Sequence, residues 1–146
     1  MKFSQGIFNP KNPEKYIGRG SIKYRSSWEF KFMNFLDTHP SIKQWASEAI
    51  SIKYENPVAN KTKSYVPDFL IIYEDTAGTR KGELVEIKPY KETTLEAAGR
   101  STKNQIQAVV NQAKWKAAAE FCKRNGLQFR VLTENDIFTN TKRPKR

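Results

Sequence analysis

Apolar residues recur along the chain with two different periods, and the change of period marks the elements. After Ser26, residues Trp28, Phe32, Phe35 and Leu36 fall at the spacing of one helical face, and Thr38-His39-Pro40 ends the run. The pattern predicts a core helix that opens at Ser26. Ala49 to Tyr54 alternates like a strand, Asn56 to Ser64 is polar and reads as a loop, and Tyr65 to Tyr73 reads as a second, more apolar strand. Asp75, Gly78 and Gly82 predict a hairpin turn into a third strand, Glu83 to Lys88, closed by Pro89. Three consecutive strands with tight connections imply an antiparallel meander. The polar stretch after Pro89 predicts a mobile loop up to about Arg100. A long helix is predicted from near Ser101 to Asn125, burying Ile106, Val109, Val110, Ala113, Ala117 and Phe121 and capped at Asn125-Gly126. Leu127 to Leu132 alternates as a final strand, and Thr133 to Asp136 starts a short last helix. The order is αβββαβ, a single α/β domain without internal repeats.

A length of 146 residues fits one domain with its own core. The single cysteine, Cys122, excludes an internal disulfide framework, and with one histidine, His39, it excludes Cys- or His-built zinc sites. Metal chemistry, if present, must use carboxylates. No apolar run is long enough to span a membrane, and the proline-broken, polar start (MKFSQGIFNPKNPEKY) does not read as a signal peptide. The expectation is an intracellular protein, not secreted and without a membrane partner.

Charge adds a second kind of information. The net charge is +11, of which +5 lies in residues 1–25 and +4 in the last five residues. The ends also hold Asn9-Pro10, Asn12-Pro13, Gly18-Arg19-Gly20 and Arg143-Pro144. They read as flexible basic arms, residues 1–25 and 139–146, on a nearly neutral body, residues 26–138. Such arms can be solvated tails kept basic for solubility, or they can bind a polyanion. Candidate contacts to a nucleic-acid polyanion are Arg19, Lys23, Arg25, Lys142, Arg143, Lys145 and Arg146, with Lys114 on the long helix.

The chemistry resides in the body. Asp68 is a charged residue in the apolar row Val66, Leu70, Ile72, while Glu86 and Lys88 share a face of the third strand, opposite Val85 and Ile87. A short hairpin can set Asp68 beside Glu86 and Lys88. Two carboxylates can hold a hard divalent cation, and the ammonium can orient water or stabilise charge on a phosphate. The bland alternative is a strand-end aspartate and an ordinary surface pair. Glu29 fits a capping box with Ser26, yet its angular position lies on the inner side of the helix, so a capping role and a role as metal ligand or metal-orienting residue are both open. Glu48, ahead of the first strand, is either a further acid of the cluster or a turn cap.

In order, Glu29, Pro67-Asp68 and Glu86-Ile87-Lys88 resemble the PD-(D/E)XK nuclease signature. The surrounding segments are more particular: Tyr24-Arg25-Ser26-Ser27-Trp28-Glu29, Trp45-Ala46-Ser47-Glu48, Tyr65-Val66-Pro67-Asp68, Val85-Glu86-Ile87-Lys88-Pro89, Lys114-Trp115-Lys116-Ala117-Ala118 and Phe129-Arg130-Val131-Leu132-Thr133-Glu134. Together they resemble the head-completion nuclease family of tailed bacteriophages, which is similar to the endonuclease subunit of TnsA-type transposons. The likeness runs from about Asn12 to Glu134.

The resemblance implies a restriction-endonuclease-like core, a mixed central sheet flanked by helices, and a metal-dependent endonuclease acting on double-stranded DNA. It implies Asp68 and Glu86 as Mg²⁺ ligands with Mn²⁺ able to substitute, Lys88 as the catalytic lysine and Glu29 as the helix acid near the metal. It also implies action on packaged or terminal DNA in the host cytoplasm during virion assembly, or within the virion, beside head or neck proteins. A DNA-end-binding virion protein on a nuclease scaffold, and a transposition, repair or junction-resolving nuclease, remain alternatives. A single acidic site cuts one strand at a time, so a double-strand break needs a dimer or two sequential events.

Overall fold

The computed structural model describes residues 5–137. Lys142, Arg143, Lys145 and Arg146, and the C-terminal tail they belong to, lie outside the described residues. The strands are β1 (Gly6–Phe8), β2 (Ile22–Tyr24), β3 (Ile42–Ser47), β4 (Ile52–Asn56), β5 (Lys61–Tyr65), β6 (Phe69–Glu74), β7 (Arg80–Ile87) and β8 (Leu127–Leu132). The helices are α1 (Ser27–Thr38), α2 (Leu95–Ala98) and α3 (Thr102–Arg124). The central sheet has the order β3-β6-β7-β8. Its first three strands are antiparallel and β8 runs parallel to β7 after the crossover through α3, so the sheet is mixed and flanked by helices.

Two cores lie on the two faces of this sheet. On one, α1 contributes Phe32, Met33 and Leu36 against Trp45, Phe69, Ile71, Val85 and Ile87. On the other, Trp115, Ala118 and Cys122 of α3 pack on Leu84 together with Ile52, Tyr54 and Tyr65. Alternation along β7 explains the split: Val85 and Ile87 face α1, while Leu84 and Glu86 face α3. Cys122 is a buried packing residue.

Several expectations need correction. The strand paired with β6 in the central sheet is β3, Ile42–Ser47, which the sequence reading passed over because Lys43 and Gln44 interrupt its apolar run. The expected first strand, now β4, pairs instead with β5 in a separate two-stranded ribbon, and β5 occupies part of the expected polar loop. The single strand expected from Tyr65 to Tyr73 is broken at Val66-Pro67-Asp68. Pro67 has no N–H for a ladder, so β5 ends before it and β6 begins after it. The stretch after Pro89 is built rather than loose: a 3-10 turn (Tyr90–Glu92) and α2 lie against α3, where Asn111 Nδ2 donates to Glu92 O at 2.9 Å. The buried positions of α3 are Ala108, Asn111, Trp115, Ala118 and Cys122, one step round from the predicted stripe, leaving Ile106 and Val109 exposed. Phe35 of α1 is also exposed, stacked on Phe32.

The N-terminal segment is the largest correction. Residues read as a flexible arm form the β1–β2 ribbon, whose Phe8 and Ile22 are buried in the α1-side core. A 3-10 turn (Pro13–Lys15) lies between the two strands. The buried Asp37 carboxylate fixes this segment by accepting from Lys11 N at 2.8 Å and Asn12 N at 3.0 Å. Arg19 and Lys23 remain exposed. No helix of the described residues is long and apolar enough to cross a membrane.

Asp37→Ala leaves two backbone N–H groups without their acceptor. The expected cost is about 3 kcal/mol in urea unfolding, with loss of amide-exchange protection concentrated in residues 6–24. Full protection there would show that Phe8 and Ile22 hold the segment without the carboxylate.

Candidate active site

The break at Pro67 creates the site. The chain leaves the ribbon at Tyr65 and enters the central sheet at Phe69, so Asp68 stands where no ladder pairs it. The β6–β7 register pairs Phe69 with Val85, and one step further along this antiparallel pair Asp68 stands opposite Glu86. Each carboxylate is held by the other strand's backbone. Glu86 Oε1 accepts from Asp68 N at 3.3 Å, and Asp68 Oδ2 accepts from Ile87 N at 2.8 Å. Asp68 O in turn accepts from Glu48 N at 2.9 Å, tying the end of β3 to the same point.

Glu86 is buried, and its Oε1 also accepts from the Tyr65 hydroxyl at 2.9 Å. Lys88 Nζ lies 3.8 Å from Glu86 Oε2 and keeps partial access to solvent. Burial, followed by the Glu86 charge, pushes the Asp68 carboxyl well above the usual carboxylate range. Burial also raises Glu86, opposed by Lys88, the Tyr65 hydroxyl and the Asp68 N–H. The Tyr65 hydroxyl is raised by burial and by the adjacent Glu86, so it stays a proton donor to that carboxylate. Two carboxylates are therefore held together in a poorly hydrated place where nearby ammonium groups only partly balance them.

Lys114 joins this group from α3. Its ammonium lies 5.5 Å from the Tyr65 ring centre and 5.9 Å from that of Tyr54. Burial lowers its pKa, Lys88 and Lys63 lower it further, and Glu86 and Asp68 oppose the change.

Glu29 and Glu48 sit at the margin. Ser26 Oγ accepts from Glu29 N at 3.2 Å, and Glu29 Oε1 accepts from Arg25 N at 3.0 Å, so the capping box closes one residue earlier than the usual reciprocal bond. Burial raises the Glu29 carboxyl, and its charge reaches Asp68. Glu48, with a left-handed φ of 51°, is exposed and forms a two-point ion pair with the Arg25 guanidinium. Arg25, read as a DNA contact, thus already has a carboxylate partner. Among the described residues no three His, Cys, Asp or Glu side chains gather as a metal cage. The donor set is the Asp68–Glu86 pair. That suits Mg²⁺, which is commonly bound through one or two carboxylates together with water and substrate phosphate.

Tyr65 was missed as a site residue, because a tyrosine at the start of an apolar strand reads as core. Its signal was its position three residues before Asp68, just ahead of the proline. Lys63 gave no signal, since it stood in a stretch read as loop.

Residues 39–134, which include Asp68, Glu86 and Lys88, match the family described as TnsA-like endonuclease N terminal. The chain is also 37% identical over 142 residues to the head completion nuclease of Enterobacteria phage T4, an alignment covering 90% of this chain and 92% of that protein. Both likenesses extend across the β3-to-β8 segment that builds the carboxylate pair, and by them the chain belongs to the head-completion nuclease family, within the TnsA-like endonucleases.

Proposed function

We propose that this chain is a metal-dependent DNA endonuclease that acts on double-stranded DNA during completion of a phage head. The observation that carries the reading is the Asp68–Glu86 pair, two carboxylates locked face to face by reciprocal backbone hydrogen bonds with Lys88 beside them. Like charges held this close in a half-dry site repel unless a cation or a proton joins them. Mg²⁺, or Mn²⁺ in its place, would be held by Asp68 and Glu86. When bound, it supplies Lewis-acid chemistry, lowering the pKa of a water and neutralising charge on the scissile phosphate.

The chain's own residues do the rest. The Tyr65 hydroxyl and the Asp68 N–H fix Glu86 Oε1, which orients the second oxygen toward Lys88. Lys88 can donate to the attacking water or to a phosphate oxygen as negative charge grows there. Lys114 adds a second cation on the phosphate side. Glu29 acts at one remove, through its charge near Asp68, while its oxygen caps α1. The name of the phage T4 relative supports the head-completion setting, and we place the chain there in the host cytoplasm beside head or neck proteins.

Incubation with linear, nicked and supercoiled DNA plus Mg²⁺ or Mn²⁺ should give cutting that Asp68→Ala abolishes and Lys88→Ala slows by about 10²–10³-fold. Glu29→Gln keeps the cap and loses only the charge, and a rate lower by about 10–100-fold with unchanged melting is expected. Equal cutting by wild type and Asp68→Ala would overturn the reading.

A second test needs no DNA. Because the folded Asp68 pKa lies well above its ordinary value of 3.8, its contribution to stability is full below that value and is lost as pH rises from there through the folded pKa. Asn at position 68 can still accept from Ile87 N without the charge. Asp68→Asn should therefore melt higher than metal-free wild type at neutral pH, the gap closing on acidification. Added Mg²⁺ should raise the melting temperature of wild type only. A variant that melts lower, or responds equally to Mg²⁺, would contradict the account.

A further inference from the structure

The face of the β4–β5 ribbon that carries Tyr65 continues outward as a row of cations. Ile52 opposes Tyr65, Tyr54 opposes Lys63 and Asn56 opposes Lys61. Directly opposed residues share a face, so Tyr65, Lys63 and Lys61 line one side of the ribbon at about 7 Å per step. Tyr65, at the inner end, touches Glu86, while Lys63 and Lys61 are exposed. Lys114 stands over the inner end of the same row, against the Tyr54 and Tyr65 rings, and Lys63 and Lys88 are both close enough for their charges to act on it.

Among the described residues Lys61, Lys63 and Lys114 form no ion pair. Within the described residues the row therefore keeps its positive charge free of direct carboxylate partners, and it begins at the carboxylate site. The other face of the ribbon differs, because Lys53 donates to Ser64 Oγ and Thr62 donates to Glu55 Oε2, giving mixed charge. The hairpin is also stiff. Asn56 Oδ1 accepts from Val58 N and Ala59 N, each at 2.9 Å, and Asn60 N donates to Asn56 O at 2.8 Å. Asn60 takes the left-handed turn with φ of 56°. A stiff ribbon holds its lysines at fixed offsets from Glu86, which lowers the ordering cost when a polyanion binds.

We propose that the β4–β5 ribbon, through Lys61 and Lys63 with Lys114 at its base, is a track for the phosphate backbone of the DNA that enters the Asp68–Glu86 site. The proposal rests on the endonuclease reading and adds a binding surface to it. Its contacts are to phosphates, so they position the duplex without reading its sequence.

The test compares wild type, the double variant Lys61→Gln/Lys63→Gln and Lys53→Gln from the opposite face. A labelled DNA duplex is titrated with each protein over a range of salt concentrations, and cutting with Mg²⁺ is measured on the same samples. The double variant should bind more weakly, with the slope of log affinity against log salt shallower by about 2. Lys53→Gln should match wild type, and added Mg²⁺ should still raise the melting temperature of all three. Wild-type affinity and slope in the double variant would overturn the ribbon proposal, and Mg²⁺-dependent cutting in those samples would leave the endonuclease reading standing. Failure of wild type to bind or cut DNA would overturn both.

Discussion

Two carboxylates, Glu86 buried and Asp68 half-buried, facing each other across an antiparallel strand pair are the constraint around which the rest of the molecule is arranged. Asp68 and Glu86 can be held there because each accepts a backbone N–H from the opposite strand, and Glu86 also accepts the Tyr65 hydroxyl. These bonds offset part of the desolvation cost but leave the repulsion. The geometry depends on Pro67. By ending β5 without a ladder donor, it frees Asp68 from both the ribbon and the sheet, and the Asp68 backbone becomes available to Glu86 and Glu48. α3 then supplies the apolar floor, with Trp115, Ala118 and Cys122 packing under Tyr65 and Leu84.

The site was more legible in the sequence than the scaffold around it. Asp68, Glu86 and Lys88 could be brought together from strand period and one hairpin, because side-chain alternation is local and the β6–β7 connection is short. What failed was long-range pairing. β3 sits next to β6 across the ribbon inserted between them, and no local pattern announces that Tyr54 belongs to a different sheet from Trp45. The N-terminal ribbon failed for a related reason. Its prolines and glycines do break regular structure locally, but Phe8, Ile22 and the Asp37 carboxylate bind the segment through partners more than ten residues away in sequence. For Glu29 the capping role is the one the structure shows, and its charge reaches Asp68.

Counting charge by segment was misleading in the middle of the chain. The near-neutral balance of the body conceals a local separation: paired acids at Asp68 and Glu86, with Lys88, Lys114, Lys63 and Lys61 leading away from them. Net charge sums over distance and cannot report such a gradient. A phosphate backbone meeting this surface would find cations along the ribbon and acids only at its end, an order suited to binding along the strand and reaction at one point.

Binding of Mn²⁺ followed by electron paramagnetic resonance, comparing wild type with Glu86→Gln in the absence of DNA, addresses the carboxylate pair most directly. The account predicts that wild type captures the ion and that Glu86→Gln, which keeps an acceptor for the Tyr65 hydroxyl and loses the charge, leaves it in solution. Equal capture by the two proteins would contradict it.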